Sequence, residues 1–323
     1  MIGMASEQAA WQGDSGGRAA PASAGVEPFA HFLASTGHRV LCGAGAHWYD
    51  VSSGFFLSVP SHRLLRPSRA ELGALMRHQP CAGVRFPAPL EGPGKLSYQI
   101  VCDDRDFSIE SLSANARSKV RRGLRRCEIA AVPFSTIAAQ GMSADRDTLA
   151  RQGRAVRLPA EAWQGFWAAA AATSGMEGWA AFVGGEMAAF LVSVQFEDAV
   201  ELLLARSRSD CLDAYPNNAL VFHVTSEMLG RRGARQVTFG LESLEPVGPL
   251  DQFKFGMGFR RAPLRQRVVF HPLVRALLAP GALRAAFSRA AAGRPGGFWR
   301  KALGLVRFAE AGGEFGAVSG EAA

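Results

Sequence analysis

AVELLLARSRSDCLDAYPNNALVFHVTSEMLGRRGARQVTFG, residues 199–240, decides how this chain folds. An apolar run, a polar loop, a helix-like stretch opened by Asn217 and Asn218 and a second strand-like run after Arg235 predict a β–α–β crossover. Such a crossover forces its two strands to be parallel neighbours. Both strand ends, the helix N-terminus and whatever follows the second strand then border one crevice, where ligands bind in open α/β sheets.

Upstream, GWAAFVGG, EMAAFLVSVQFED and AVELLLARS read as three strands. The turns at Gly184-Gly185 and Glu197-Asp198 leave room only for hairpins, so an antiparallel meander runs into the crossover. EAWQGFWAAAAATSG before it is a helix ended by Ser174-Gly175. Downstream, within LESLEPVGPLDQFKFGMGF (241–259), a Pro/Gly-rich loop that must return over the crevice precedes Asp251-Gln-Phe-Lys-Phe-Gly, and the strand PLRQRVVF and a helix with Pro272 in its first turn follow.

The N-terminal third predicts a short helix near Glu27, strands over HRVLCGAG, WYDVSSGFFLSV, VRFPAP and KLSYQIVCD, and a helix started by a Ser68/Glu71 capping box. The helix in SLSANARSKVRRGLRRC is strongly two-faced. Leu112, Ala116, Val120, Leu124 and Cys127 share one arc, Arg117, Arg121, Arg122, Arg125 and Arg126 the opposite one, with Lys119 at the border. That basic face is either a solvated helix surface or a dock for phosphates, which suit closely spaced guanidiniums. Gly123 in mid-helix costs about 1 kcal/mol relative to Ala, which implies close packing or an early helix end there.

The 323 residues are 48% hydrophobic and 20% charged, enough for a large core and too apolar for a disordered chain. A formal net charge of +8 suits an anionic partner such as a nucleotide, CoA, tRNA or a membrane surface; DNA is not among the expected partners. Five scattered cysteines without CxxC spacing indicate neither zinc nor a disulfide framework. No signal peptide and no run of roughly 18 apolar residues is present, so a cytoplasmic protein is expected. Ser-His-Asp order, metal-ligand clusters, a Walker loop and HExxH are all missing, which argues against hydrolase, metal-dependent and NTPase chemistry.

Helix, meander, crossover, parallel strand and final strand, over roughly Leu158 to His271, is an order that resembles the GNAT acyltransferase fold, whose fourth and fifth strands splay apart around the acyl donor. From Ser97 onward the chain also resembles the Fem-type (FemAB-like) branch. The residues that carry this are Ser113-Ala-Asn115-Ala-Arg117, Val120-Arg121-Arg122-Gly123, Tyr215-Pro216-Asn217-Asn218, Phe239-Gly240, and Phe253-Lys254 with Gly256 and Gly258. The resemblance implies an α+β fold with a mixed, mostly antiparallel sheet, helices on both faces and two GNAT-like halves, the strand-rich region 38–135 being a degraded first half. The expected organisation is a disordered N-terminus (1–26), an N-terminal α/β lobe (27–135), a GNAT-like domain (136–280) and a basic helical or flexible tail (281–323). Phe298, Trp299, Arg300 and Lys301 in that tail can touch a membrane surface or dock on the core.

Acetyl-CoA users of this fold carry a glycine-rich loop between the fourth strand and the next helix. Here RSRSDCLDAYPNN has no glycine. The helix N-terminus remains an anion site, without a nest of glycine amides. Arg206, Arg208, Asn217 and Asn218 are therefore either phosphate ligands or a helix cap with surface arginines, and Tyr215 lines the crevice or packs over the helix start. Glu242, just beyond the parallel strand and followed by Ser243, can accept a proton from an attacking amine or anchor its loop. Glu201 is the rival base, because the resemblance places one on that strand. Lys254 can hold a phosphate or an acceptor carboxylate, or form a surface ion pair.

The expected function is acyl transfer from an acyl-CoA or acetyl-CoA donor to an amine, without a metal. Within the class, the alternative is an aminoacyl-tRNA-dependent Fem-type transferase acting on a cell-envelope precursor. Outside it, the alternative is a non-catalytic anion-binding module that keeps the fold and binds lipid or nucleic acid through Arg117, Arg121 and Arg122.

Overall fold

A computed structural model describes residues 25–315 except 53, 78–79, 154–157, 245–247 and 295–296; the N-terminal stretch 1–24 and the last residues of the tail lie outside it. Helix α1 (Val26–Ser35) leads into the meander β1 (Val40–Gly43), β2 (Ala46–Ser52) and β3 (Phe55–Val59). Helix α2 (Arg69–Arg77) then crosses to β4 (Gly83–Ala88), which lies parallel to β3, and β5 (Lys95–Cys102) follows. The capping box at α2 forms as expected: the Ser68 N–H and hydroxyl both donate to Glu71, 2.7 Å each, and the Glu71 N–H returns to Ser68 Oγ.

Helix α3 (Ala114–Arg126), strand β6 (Glu128–Val132) and helices α4 (Phe134–Gln140), α5 (Met142–Arg151) and α6 (Ala160–Ala171) connect to the second meander. This comprises β7 (Met176–Val183), β8 (Glu186–Phe196) and β9 (Ala199–Ser207). Helix α7 (Pro216–Ser226), continued by a π-helical turn to Arg231, crosses to β10 (Gln236–Leu241), parallel to β9. The end of the segment expected as a loop and the residues after it form helix α8 (Gly248–Gly256). Its Gly248 and Pro249 occupy the first turn, where a missing N–H costs nothing, and Gly256 closes it. Strand β11 (Arg260–Phe270) and helices α9 (Pro272–Leu278), α10 (Gly281–Ala292) and α11 (Gly297–Ala311) complete the chain.

All eleven strands form one sheet in the order β1-β2-β3-β4-β11-β5-β10-β9-β8-β7-β6. Meander, crossover helix, parallel strand and final strand thus occur twice. The final strands are exchanged: β11 pairs with β4 of the first half and with β5, and β5 pairs with β10 of the second. The fold is therefore GNAT-like in two halves, sharing a sheet through swapped strands.

Alternate residues of the central strands serve opposite faces. Val200, Val237, Ile100 and Cys102 pack with α3 and α7 in one core. On the other face, Val194, Phe196 and Leu203 pack with α1, α4 and α6, and Val59 at the end of β3 joins them. Ser61, just past the end of β3, donates to Glu201 on β9, so the loop after β3 reaches the parallel pair of the second half.

Helix α3 corrects one detail of its amphipathic reading. Ala116, Val120, Gly123 and Cys127 are the buried stripe, and Leu124 is exposed. A Cβ on Gly123 would lie 2.8 Å from both Ala219 Cβ and Tyr215 O. Close packing of α3 on α7, not an early helix end, explains the glycine.

Candidate functional site

Strands β9 and β10 pair only at Ala199–Gln236, Val200–Val237 and Glu201–Thr238. Beyond that they part. Val192 faces Leu204 while Ser193 faces Leu202, so Leu203 is the extra residue of a bulge at the parting point. On β10, a second bulge places Phe239 and Gly240 between the pairs Thr238–Val101 and Leu241–Gln99. Gly240 has φ +82°, a conformation other residues rarely adopt, and its N–H donates to Thr238 Oγ1 at 2.9 Å. Two bulges, one on each strand, hold the splay open.

On the helix face, the head of α7 borders the opening. Tyr215, not an asparagine, is its N-cap residue, held in the left-handed region at φ 56°. Asn217 and Asn218 lie inside the first turn. Asn217 Nδ2 donates to Ser207 Oγ at 2.9 Å, while its Oδ1 is buried without a partner among the described residues. Asn218 Nδ2 points at Met257 Sδ, 3.5 Å away. A cavity of about 210 Å³ lies between the start of α3, Asn218, and Phe253 and Gly256 of α8.

Lys254 projects from α8 to the end of β10. Its side chain is 14% exposed, with Nζ 3.6 Å from Asp251 Oδ1 and 5.4 Å from the Phe239 ring centroid. Burial pushes its pKa down, against the pull of Asp251.

The arginines of the same region are already engaged. Arg206 Nε donates to Asp145 Oδ1 at 2.7 Å. Arg208 binds both oxygens of Asp210, at 3.0 and 2.6 Å, and Glu186 at 2.6 Å. On α3, Arg117 donates to the carbonyls of Glu110 and Leu112, both at 3.2 Å, and Arg121 lies 3.7 Å from Glu110 Oε1. Arg122 sits over the Tyr215 ring, 5.8 Å from its centroid, and ties α3 to the head of α7. Ser243 is exposed just past β10.

The opposite face carries both candidate carboxylates. Glu201 is 8% exposed, and its Oε1 accepts from the Ser61 N–H at 2.7 Å and the Ser61 hydroxyl at 2.8 Å. His62 Nδ1 lies 3.5 Å from the same oxygen. No hydrogen bond among the described residues reaches Glu201 Oε2. Glu242 Oε2 accepts from Ser97 Oγ at 2.6 Å and Lys95 Nζ at 3.1 Å. The Glu242 carbonyl accepts from Arg85 Nη2 at 2.6 Å, and Arg85 Nε donates to Gln266 Oε1 at 2.6 Å. Gln266 Nε2 in turn donates to Ser97 Oγ at 2.7 Å.

Burial pushes the Tyr49 phenol up to about 12, helped by the charge of Glu201 and opposed by Arg85, so it is a neutral hydroxyl at neutral pH. Burial likewise lowers Arg85 to about 10, against the pull of Tyr49 and Glu242. Phe308 of α11 roofs the cluster, its ring centroid 4.0 Å from Lys95 Nζ and 5.5 Å from the Arg85 guanidinium.

The structure thus gathers Tyr215, Asn217, Asn218 and Lys254 on one side of the splay and Glu201 and Glu242 on the other. Reading the sequence missed Tyr49, Ser61, His62, Arg85, Lys95, Ser97 and Gln266, which the first half and the swapped strands supply. One signal was present: Lys95, Ser97 and Gln99 alternate along β5 with Tyr98, Ile100 and Cys102, a polar stripe on a buried strand.

No protein-family model and no curated protein matches the chain. Solved structures do. FemX aligns over 77% of this chain and 93% of its own length, at 11% identity and a TM-score of 0.55. The C-terminal domain (DUF2156) of a protein assigned as a lysylphosphatidylglycerol synthetase, from Agrobacterium fabrum, aligns over 79% of this chain and 91% of its own, at 11% identity and a TM-score of 0.51. A tandem GNAT protein from clavulanic acid biosynthesis aligns more loosely, at 9% identity and a TM-score of 0.41, over 72% and 79% of the two chains. The chain has the fold of FemX, and at these identities the likeness is one of fold.

Proposed function

We propose that this protein transfers an acyl group from an activated ester or thioester to an amine, with donor and acceptor meeting through the splay between β9 and β10. The splay carries the reading. There the two strands part just past Glu201, with a half-buried lysine and a helix N-terminus on one face of the sheet and, on the other, a carboxylate of which one oxygen accepts no hydrogen bond among the described residues. Names such as FemX and lysylphosphatidylglycerol synthetase among the similar structures support transferase chemistry on this fold.

In this reading Lys254 and the free N–H groups at the head of α7 hold the phosphates of the donor's carrier. The extra residue of the β9 bulge turns a backbone N–H out of the ladder towards the thioester or ester carbonyl, whose oxygen gains charge in the transition state. Glu201 Oε2 takes the proton from the incoming ammonium, while Ser61 fixes Oε1. The amine nitrogen then bonds to the carbonyl carbon, the C–S or C–O bond breaks, and the second proton that the nitrogen loses passes to the departing sulfur or oxygen, so that the carrier leaves as thiol or hydroxyl. Glu242, held by Lys95 and Ser97, orients Arg85 and the end of β10.

Acyl-CoA is the donor that the GNAT likeness favours. A specific observation favours aminoacyl-tRNA. Arg206 and Arg208, the expected ligands of a CoA diphosphate, are committed to Asp145, Asp210 and Glu186, whereas Arg121, Arg122 and Arg125 on α3 are exposed beside the same helix head. The acceptor is a small-molecule amine or an amine of a cell-envelope precursor.

Thermal unfolding in the presence of acetyl-CoA, longer acyl-CoAs, free CoA and charged tRNA tests this. A true donor stabilises the folded chain saturably, by about 2–3 kcal/mol at a hundredfold excess over Kd, and Lys254→Ala removes the effect. A steep loss of binding with salt identifies tRNA, since CoA neutralises far fewer charges. If neither class of donor shifts the curve, the reading fails.

A further inference from the structure

A second arginine cluster lies in the first half, outside the site above. A cavity of about 760 Å³ opens between α2, β11, α9 and the end of α11. That volume is in the range of small-molecule pockets, roughly 300–1,000 Å³. Arg69 enters it from the first turn of α2, Arg267 from β11 and Arg275 from α9, with Glu314 as the only carboxylate among the described lining residues. Arg275 Nε donates to the Glu314 carbonyl at 3.2 Å and lies 3.9 Å from its Oε1. Arg267 and Arg69 are also within electrostatic reach of that carboxylate.

Three guanidiniums thus face one carboxylate. Neither Arg69 nor Arg267 has a carboxylate within ion-pair distance among the described residues, and Arg267 is half-buried with Arg69 as a repelling neighbour. Gathering like charges in a partly dry cavity is unfavourable unless an anion joins them. The rest of the lining is apolar, including Met76, Val268 and Phe270.

The position repeats that of the donor cleft. Helix α2 joins parallel β3 and β4 as α7 joins β9 and β10, and α9 follows the swapped strand β11 as α3 follows β5. The cavity therefore takes in the first half the place that the smaller cavity between α3, Asn218 and α8 takes in the second.

We propose that this cavity binds a small organic phosphate carrying two or more negative charges. Its phosphates lie on Arg69, Arg267 and Arg275, its apolar part lies against Met76 and Phe270, and Glu314 competes with it for the arginines. Guanidinium forks match phosphate oxygens two at a time, which suits a diphosphate better than a single carboxylate. The inference stands apart from the acyl-transfer reading, because the cavity shares no residue with the splay.

Calorimetric titration of the full chain with inorganic pyrophosphate and with adenosine diphosphate tests it. Saturable binding is expected, weakened at least tenfold by Arg69→Ala, a surface change that leaves the core intact, and by Arg267→Gln. Glu314→Gln tightens it several-fold, and in Lys254→Ala the binding that Arg69→Ala weakens persists, which separates this site from the donor cleft. The proposal is overturned if neither probe binds at millimolar concentration. It is equally overturned if Arg69→Ala has no effect, or if Lys254→Ala abolishes binding as completely as Arg69→Ala does.

Discussion

Lys254 ends in an ammonium that the fold keeps largely from water, with Asp251 as its carboxylate neighbour at 3.6 Å. Burial disfavours the charged form, so the folded chain holds this proton less tightly than the unfolded chain does. The sign follows from linkage. With the folded pKa below the unfolded one, the penalty is full at neutral pH and is relieved as pH rises through the lysine range. Replacing the lysine by an isosteric apolar residue should therefore stabilise the protein. Lys254→Met is expected to raise Tm at neutral pH and to lose donor binding. The gain should shrink towards alkaline pH. Differential scanning calorimetry at pH 7 and pH 10 measures both, and a destabilised Lys254→Met at neutral pH would show that Lys254 serves the fold instead of a ligand.

At the scale of elements, the head of α7 depends on how closely α3 approaches it. Gly123 allows that approach, and Arg122 and Arg126 lock it, the latter donating to Asp213 O at 2.8 Å. Alanine at 123 gains about 1 kcal/mol of helix propensity. Its methyl, however, would meet Tyr215 O at 2.8 Å, a backbone atom that cannot swing aside. Overpacking costs about 1–3 kcal/mol, so Gly123→Ala is expected to destabilise the chain by roughly 1 kcal/mol in urea unfolding and to weaken donor binding by moving Tyr215 and Asn218. A stabilised variant would mean that α3 and α7 are not pressed together. Much at this scale was legible. The Ser68/Glu71 cap, the meander and the crossover follow from side-chain periodicity and turn chemistry, which are local. Helix α8 was not, because Gly248, Pro249, Gly256 and Gly258 read as a loop when their positions at the helix ends are unknown.

At the scale of the molecule, the exchange of β5 and β11 makes one sheet from two halves and brings Tyr49, Ser61 and Arg85 to the carboxylates of the second half. Reading along the chain does not reveal this. Ser61 and Glu201 are 140 positions apart, and the hydrogen bonds that join them depend on the assembly of the two halves and not on any local pattern. Glu201 could be nominated because the family resemblance places a base on its strand, and Lys254 because the segment that carries it returns over the crevice, but the network that distinguishes Glu201 from Glu242 could not. Glu242 has Oε2 held by Ser97 and Lys95, while Glu201 keeps one oxygen free of bonds among the described residues.

That difference permits a direct test of the claim that the two faces meet at the splay. A single-turnover assay would follow the discharge of a labelled acyl donor onto primary amines, for wild type and Glu201→Gln, with donor binding measured in parallel. Glu201→Gln should bind donor as wild type does and transfer it about 10²–10⁴-fold more slowly, with partial recovery at higher pH as the free amine deprotonates in solution. Unchanged transfer by Glu201→Gln, with donor bound, would contradict that claim.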